Sequence, residues 1–166
     1  ISENKDLTLK PTIFDSNIIM LQNEYRQQNE SSSFMADIGL TKGYQSSIKG
    51  SNRNNMTHLF SKYTSDLQFE NFSKSDLIVS LQKTSNDTYL RLFDANIPET
   101  KIKPKSKNSL FSEIKLNLDH ENYNISGGMS VYETLSGRNS DKFQYIFPHY
   151  DFSKSITSDL NGSFNF

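Results

Sequence analysis

The side chains that could do chemistry are few and scattered. The chain has three histidines, His58, His120 and His149, no two of them four residues apart, and no cysteine. Zinc sites use Cys and His at short fixed intervals, or a His pair one helical turn apart beside a carboxylate. No metal site and no cofactor is therefore expected. There is no G-x-S-x-G, no P-loop and no G-x-G-x-x-G, so the signatures of nucleophilic and nucleotide chemistry are missing. Asp119 and Glu121 flank what reads as a hydrated turn, and nothing selects an acid–base pair among the dispersed carboxylates. His58 lies on an alternating stretch beside Thr57 and reads as a surface or lumen-facing histidine. The run from Lys101 to Lys107 (KIKPKSK) could form a basic patch, but reads first as a solvated loop. Asn-x-Ser/Thr triplets at Asn29, Asn71, Asn86, Asn124 and Asn161 are what chance supplies in a chain this rich in Asn, Ser and Thr. The expectation is a protein that is not an enzyme.

Composition narrows the class. The 166 residues predict one domain. Eighteen Lys and Arg against 19 Asp and Glu leave a net charge of −1, without the basic excess of a phosphate-gripping nucleic-acid binder. Only 34% of residues are hydrophobic, yet 8 Tyr and 12 Phe are too many for a disordered chain. No apolar run is long enough for a membrane helix. The first residue is Ile1, with no basic or apolar leader after it, and Phe166 ends a strand-like pattern; the chain reads as an internal piece of something longer.

The elements that would position these residues are strands. Apolar and polar residues alternate with period two along most of the chain, and helical periodicity is nearly absent. Leu7, Leu9, Pro11 and Ile13 oppose Thr8, Lys10 and Thr12, and a turn at residues 15–17 leads into Ile19, Leu21 and Tyr25 opposite Gln22, Glu24 and Arg26. Phe34, Ala36, Ile38 and Leu40 form the cleanest apolar stripe. Further stretches are predicted at residues 59–69, 76–83, 89–93, 110–118, 123–132, 143–150 and 156–166, with breaks at 120–122 and 153–155. Longer polar loops are predicted at 45–55, 95–108 and 135–141. The pair Gly127-Gly128 marks a bulge or tight curvature inside a strand.

About ten strands in sequential hairpins follow, most of them about ten residues long, the length a tilted strand needs to cross a bilayer. A sandwich and a transmembrane barrel share the same alternation and differ in which face meets water. Tyr25, Tyr44, Phe69, Tyr123, Phe143 and Phe166 fall near strand ends, as the aromatic girdles of barrels do; β-propensity of aromatic residues alone places them there too.

Several segments resemble the barrel of the lipopolysaccharide-assembly family (LptD, also called OstA or the organic solvent tolerance family). DLTLKPTIF followed by NIIMLQNEYRQ resembles that family's opening hairpin, carried here by Asp6, Leu7, Thr8, Pro11, Glu24, Tyr25 and Arg26. SSFMADIGL falls where the family has its next strand. HLFSKYTSDLQFENFSKSDLIVSLQKTSNDTYLRLFD, with Asp87, Thr88, Tyr89 and Leu90 to Asp94, and YIFPHYDFSKSI follow in collinear order.

The resemblance implies an all-β fold: an antiparallel up-and-down sheet of about ten strands, residues 1–166 being a single segment of a large transmembrane β-barrel in the outer membrane of a Gram-negative cell, without the family's periplasmic jellyroll. It implies a translocon that inserts lipopolysaccharide into the outer leaflet without covalent chemistry. The implied partners are lipopolysaccharide, an LptE-type plug lipoprotein and, through the jellyroll, the periplasmic Lpt bridge proteins. The stripe Phe34, Ala36, Ile38 and Leu40 would face lipid. Pro11, which removes a ladder donor, would mark a weakened strand near the lateral gate, and the longer loops would be extracellular. Another outer-membrane barrel, such as a porin or receptor, and a soluble β-sandwich binding module are the competing readings.

Overall fold

Alternation at period two is what a pleated strand needs to present one face to each environment, and the fold follows it. A computed structural model of the chain describes residues 3–14, 18–44, 55–135, 141–157 and 163–165. The strands are β1 (Lys5–Ile13), β2 (Ile19–Gln28), β3 (Ser32–Lys42), β4 (Asn55–Asp66), β5 (Lys74–Thr84), β6 (Ser109–His120), β7 (Tyr123–Thr134), β8 (Phe143–Thr157) and the three-residue β9 (Ser163–Asn165). Each pairs antiparallel with the next, in sequence order, as one up-and-down sheet. Strands β1 to β7 are 9 to 12 residues long and β8 has 15. Among the described residues no second sheet packs on either face.

The fold is all-β, with nine strands among the described residues where the alternation predicts about ten. The stretch 89–93, predicted as a strand, is the helix α1 (Tyr89–Phe93), followed by a 3-10 turn at Asp94–Asn96. Asn86 starts it: its Oδ1 accepts from the Thr88 amide (2.8 Å) and the Thr88 hydroxyl (2.7 Å), the local turn that Asn side chains favour. Tyr89, Leu90 and Phe93 are then buried along one side of the short helix.

Residues 95–108 belong to the long β5–β6 connection, as predicted, but the lysine run within them is not the solvated loop predicted. They fold back onto the sheet, with Ile97, Ile102 and Lys103 buried. The physical reason is a buried cluster. Met20, Met56 and Phe60, on the polar face of β2 and β4, form an apolar island that Tyr89, Leu90, Phe93, Ile97 and Ile102 cover. Leaving these side chains in water would forgo about 1.5–3 kcal/mol for each large one.

The break predicted at 153–155 is also absent. Lys154 pairs with Tyr123 and Ser155 with Asn165, so the ladder carries β8 through these residues. The turn at 120–122 is present, with the Asn122 amide donating to His120 Nδ1 at 3.2 Å. The Gly127-Gly128 expectation is met by a register shift against β8 between Gly128 and Ser130. A Cβ at Gly128 would stand 2.6 Å from the Ile114 carbonyl oxygen, so the neighbouring strand passes too close for a side chain. The turn at 15–17, most of the loop at 45–55, residues 136–140 of the loop at 135–141 and Phe166 lie outside the described residues.

Candidate functional site

The two faces of the sheet have unusual partners. The register lines up Leu9, Asn23, Ile38 and Leu59 across four strands, and Pro11, Leu21 and Leu40 across three. Among the described residues no layer covers this apolar face. Leu9 is 58% exposed, Leu40 52% and Ile114 49%. Of the predicted stripe, Ile38 and Leu40 are exposed, Phe34 is half-buried and Ala36 is buried. Pro11 lies opposite Leu21 in β1, which pairs only with β2 among the described residues. Val79, Leu81, Ile114, Met129, Val131 and Tyr145 line a shallow apolar hollow on this face.

The opposite face carries the polar residues, and part of it is buried. Gln22 is 3% exposed, Asp37 1% and His58 2%. His58 Nε2 lies 3.1 Å from Asp37 Oδ1 and Nδ1 lies 2.8 Å from the Tyr89 hydroxyl. The ring stacks on Phe60, centroids 4.4 Å apart. It occupies the space over Gly39, where a Cβ would come within 2.5 Å of His58 Nδ1 and 2.7 Å of the Tyr89 oxygen. His58 thus ties α1 to the sheet. Burial pushes the Tyr89 phenol up to about 12, so it stays a neutral hydrogen-bonding group. All three side chains are buried, and the Asp–His–Tyr contacts fasten α1 to β3 and β4.

The other histidines stand apart from it. His120 stacks on Tyr123, and His149 pairs with Gly128. Among the described residues no group of three or more His, Asp and Glu could hold a metal. Asp119 and Glu121 sit at the β6–β7 turn, the Asp119 carbonyl accepting from the Ser73 amide at 2.8 Å.

Next to the covered island, the polar face opens into a cavity of about 420 Å³. Its floor is one row of the sheet, Lys62, Ser80 and Glu113 in register across β4, β5 and β6. The β5–β6 pairing ends at Ser80 and Glu113, and beyond it the Gln82 side chain bridges the gap. Its Oε1 accepts from the Phe111 amide (2.9 Å) and its Nε2 donates to the Ile102 carbonyl (3.1 Å). That contact holds the lysine run against the cavity as its wall.

The strand ends also sort. The antiparallel order sends the connections after β3, β5 and β7, the three longer ones, to one end of the sheet, and the turns after β2, β4 and β6 to the other. At the short-turn end an aromatic band runs through Phe69, Phe72, His120, Tyr123 and Phe152, with ring centroids 4.4 to 6.5 Å apart. Tyr25 packs on Phe34 toward the same end. Tyr44 instead packs against Phe93, and Phe143 lies at the other end under Lys83.

The apolar island was missed in the alternation, although a signal existed: Ile18, Ile19, Met20 and Leu21 are apolar on both faces of the strand. Compared with known proteins, the chain matches no protein-family model and no curated sequence.

Proposed function

We propose that the chain forms part of the wall of an outer-membrane β-barrel, its apolar face toward lipid and its polar face toward a hydrated lumen. One observation carries this reading: the sheet leaves its apolar face bare while its polar face holds the buried and charged groups. A water-soluble sheet buries the apolar face, whereas a barrel in lipid does the reverse. Strand lengths suited to crossing a bilayer, long connections gathered at one end and an aromatic band at the other support it. In hydrocarbon each edge of the sheet must be paired, so β1 would join further strands of a closed barrel.

Within that class, the resemblance of the opening hairpin to the lipopolysaccharide-assembly family favours a translocon that inserts lipopolysaccharide into the outer leaflet, with a plug lipoprotein in the lumen, periplasmic bridge proteins upstream and Pro11 near a lateral gate. A porin or receptor wall is the second reading. It is favoured by the connection folded onto the polar face, since inward-folded loops narrow or plug many barrels.

The chain has no tryptophan, so single-tryptophan variants report cleanly. In bilayers with brominated acyl chains, Leu9→Trp and Leu40→Trp should be quenched and Lys62→Trp should not. A chain that stays a dispersed monomer without detergent, or equal quenching at all three sites, would overturn the barrel reading. A photoreactive residue replacing Thr64, on the polar face of β4, in the parent protein should capture lipopolysaccharide during export; capture of none, with quenching as expected, would leave a porin or receptor wall.

A further inference from the structure

The lysine run has an arrangement that its sequence does not show. Ile102 and Pro104 are buried and Lys103 is enclosed, its ammonium held by Asp94 and Glu99 and by the backbone carbonyls of Asp94 and Ile97. This inward anchoring fixes Lys101 and Lys105 on the cavity wall, facing the sheet row that contains Lys62. The ammonium groups of Lys62, Lys101 and Lys105 make no ion pair or side-chain hydrogen bond among the described residues. The cavity's one lining carboxylate, Glu113, is likewise unpaired. Three ammonium groups against one carboxylate give the cavity a net positive charge. Ser80 and Ser106 add hydroxyls, and the Phe111–Tyr132 ring pair, centroids 4.7 Å apart, adds an apolar aromatic surface.

We propose that this cavity binds a phosphorylated saccharide. Lys62, Lys101 and Lys105 would neutralise the phosphate, Ser80 and Ser106 would exchange hydrogen bonds with sugar hydroxyls, and Tyr132 and Phe111 would lie against the apolar face of the ring. Lysines act as mobile point charges toward phosphate, and a volume of about 420 Å³ falls within the usual range for small-ligand cavities. Every lining residue belongs to this chain, so the assignment stands without the barrel reading and can fail separately from it.

Titration calorimetry of the full chain, dispersed in a zwitterionic detergent, with glucose 6-phosphate, inorganic phosphate and glucose tests the proposal. Glucose 6-phosphate should bind tightest and glucose weakest. Lys62→Gln with Lys105→Gln should weaken glucose 6-phosphate binding by about tenfold or more, while Lys5→Gln with Lys42→Gln should leave it unchanged. Glu113→Gln should tighten binding by about threefold, since it removes one opposing charge, and a misfolded variant cannot produce that gain. Equal affinity for inorganic phosphate and glucose 6-phosphate overturns the saccharide part. Equal losses in the two lysine pairs, or no gain from Glu113→Gln, overturns the site.

Discussion

His58 has no exposed side-chain atom, yet both ring nitrogens are engaged. With the Asp37 oxygen as acceptor, the tautomer that fits both contacts carries its proton on Nε2. Nδ1 then accepts from the Tyr89 phenol, which burial keeps protonated. Replacing His58 by Ala would leave a buried carboxylate and a buried hydroxyl without partners, at a cost of about 3–5 kcal/mol. Tyr89→Phe keeps the ring packing, leaves Nδ1 alone without a partner and should cost about 1–2 kcal/mol. Urea unfolding of the full chain in detergent micelles measures both; equal losses would show that ring packing, and not the hydrogen-bond chain, carries the anchor. This network was not legible in the sequence because His58 lies 21 residues from Asp37 and 31 from Tyr89. Its one local trace is Gly39, interrupting the polar face of β3 directly across from His58.

At the scale of elements, the strands were readable and the β5–β6 connection was not. The long strands follow the alternation over most of their length, because a half-solvated strand writes its two environments into alternate residues. Helix α1 spans five residues, too few for helical periodicity to emerge. Its covering role was written instead on β2 and β4, in Met20, Met56 and Phe60, where the polar face turns apolar. Ionic contacts also fasten the connection. Burial works to raise the Asp94 carboxyl, but Lys107 and Lys103 outweigh it and hold the group below its usual value. Burial works to lower the Lys103 amine, and Glu99 and Asp94 outweigh it and raise the group. A carboxyl lowered in the folded chain contributes fully above its ordinary value of 3.8 and loses that contribution as pH falls through the folded value. A raised amine contributes fully below 10.5 and loses its contribution as pH rises through its folded value. Leu90 methyl resonances should therefore hold constant across the middle of the pH range and shift toward unfolded positions at both extremes. Asp94→Asn should weaken the fastening already at neutral pH and remove most of the acid-side change. An acid-side shift of full size in that variant would place the cause elsewhere.

For the whole molecule, alternation specified two faces without saying which one meets water, because a sandwich and a barrel wall share that pattern. What the fold stacks on each face supports the proposed barrel wall: a polar side carrying a folded-in connection and its buried hydrogen bonds, and an apolar side with no layer against it among the described residues. A single substitution turns this into a measurement. Ile38 sits mid-strand on the bare face, in register with Leu9 and Leu59. If that face meets lipid, Ile38→Lys places a charge near the bilayer midplane at a cost of about 2–4 kcal/mol. If it meets water, the same change at an exposed site shifts stability by no more than about 0.5 kcal/mol. Thr64→Lys, on the opposite face of β4, serves as the partner variant, because a lumen-facing lysine stays hydrated in either case. Unfolding from lipid vesicles should show a large loss for Ile38→Lys and a small one for Thr64→Lys. Near-equal small losses would mean that the apolar face lies in water or against a protein partner, and the chain would then not be a barrel wall.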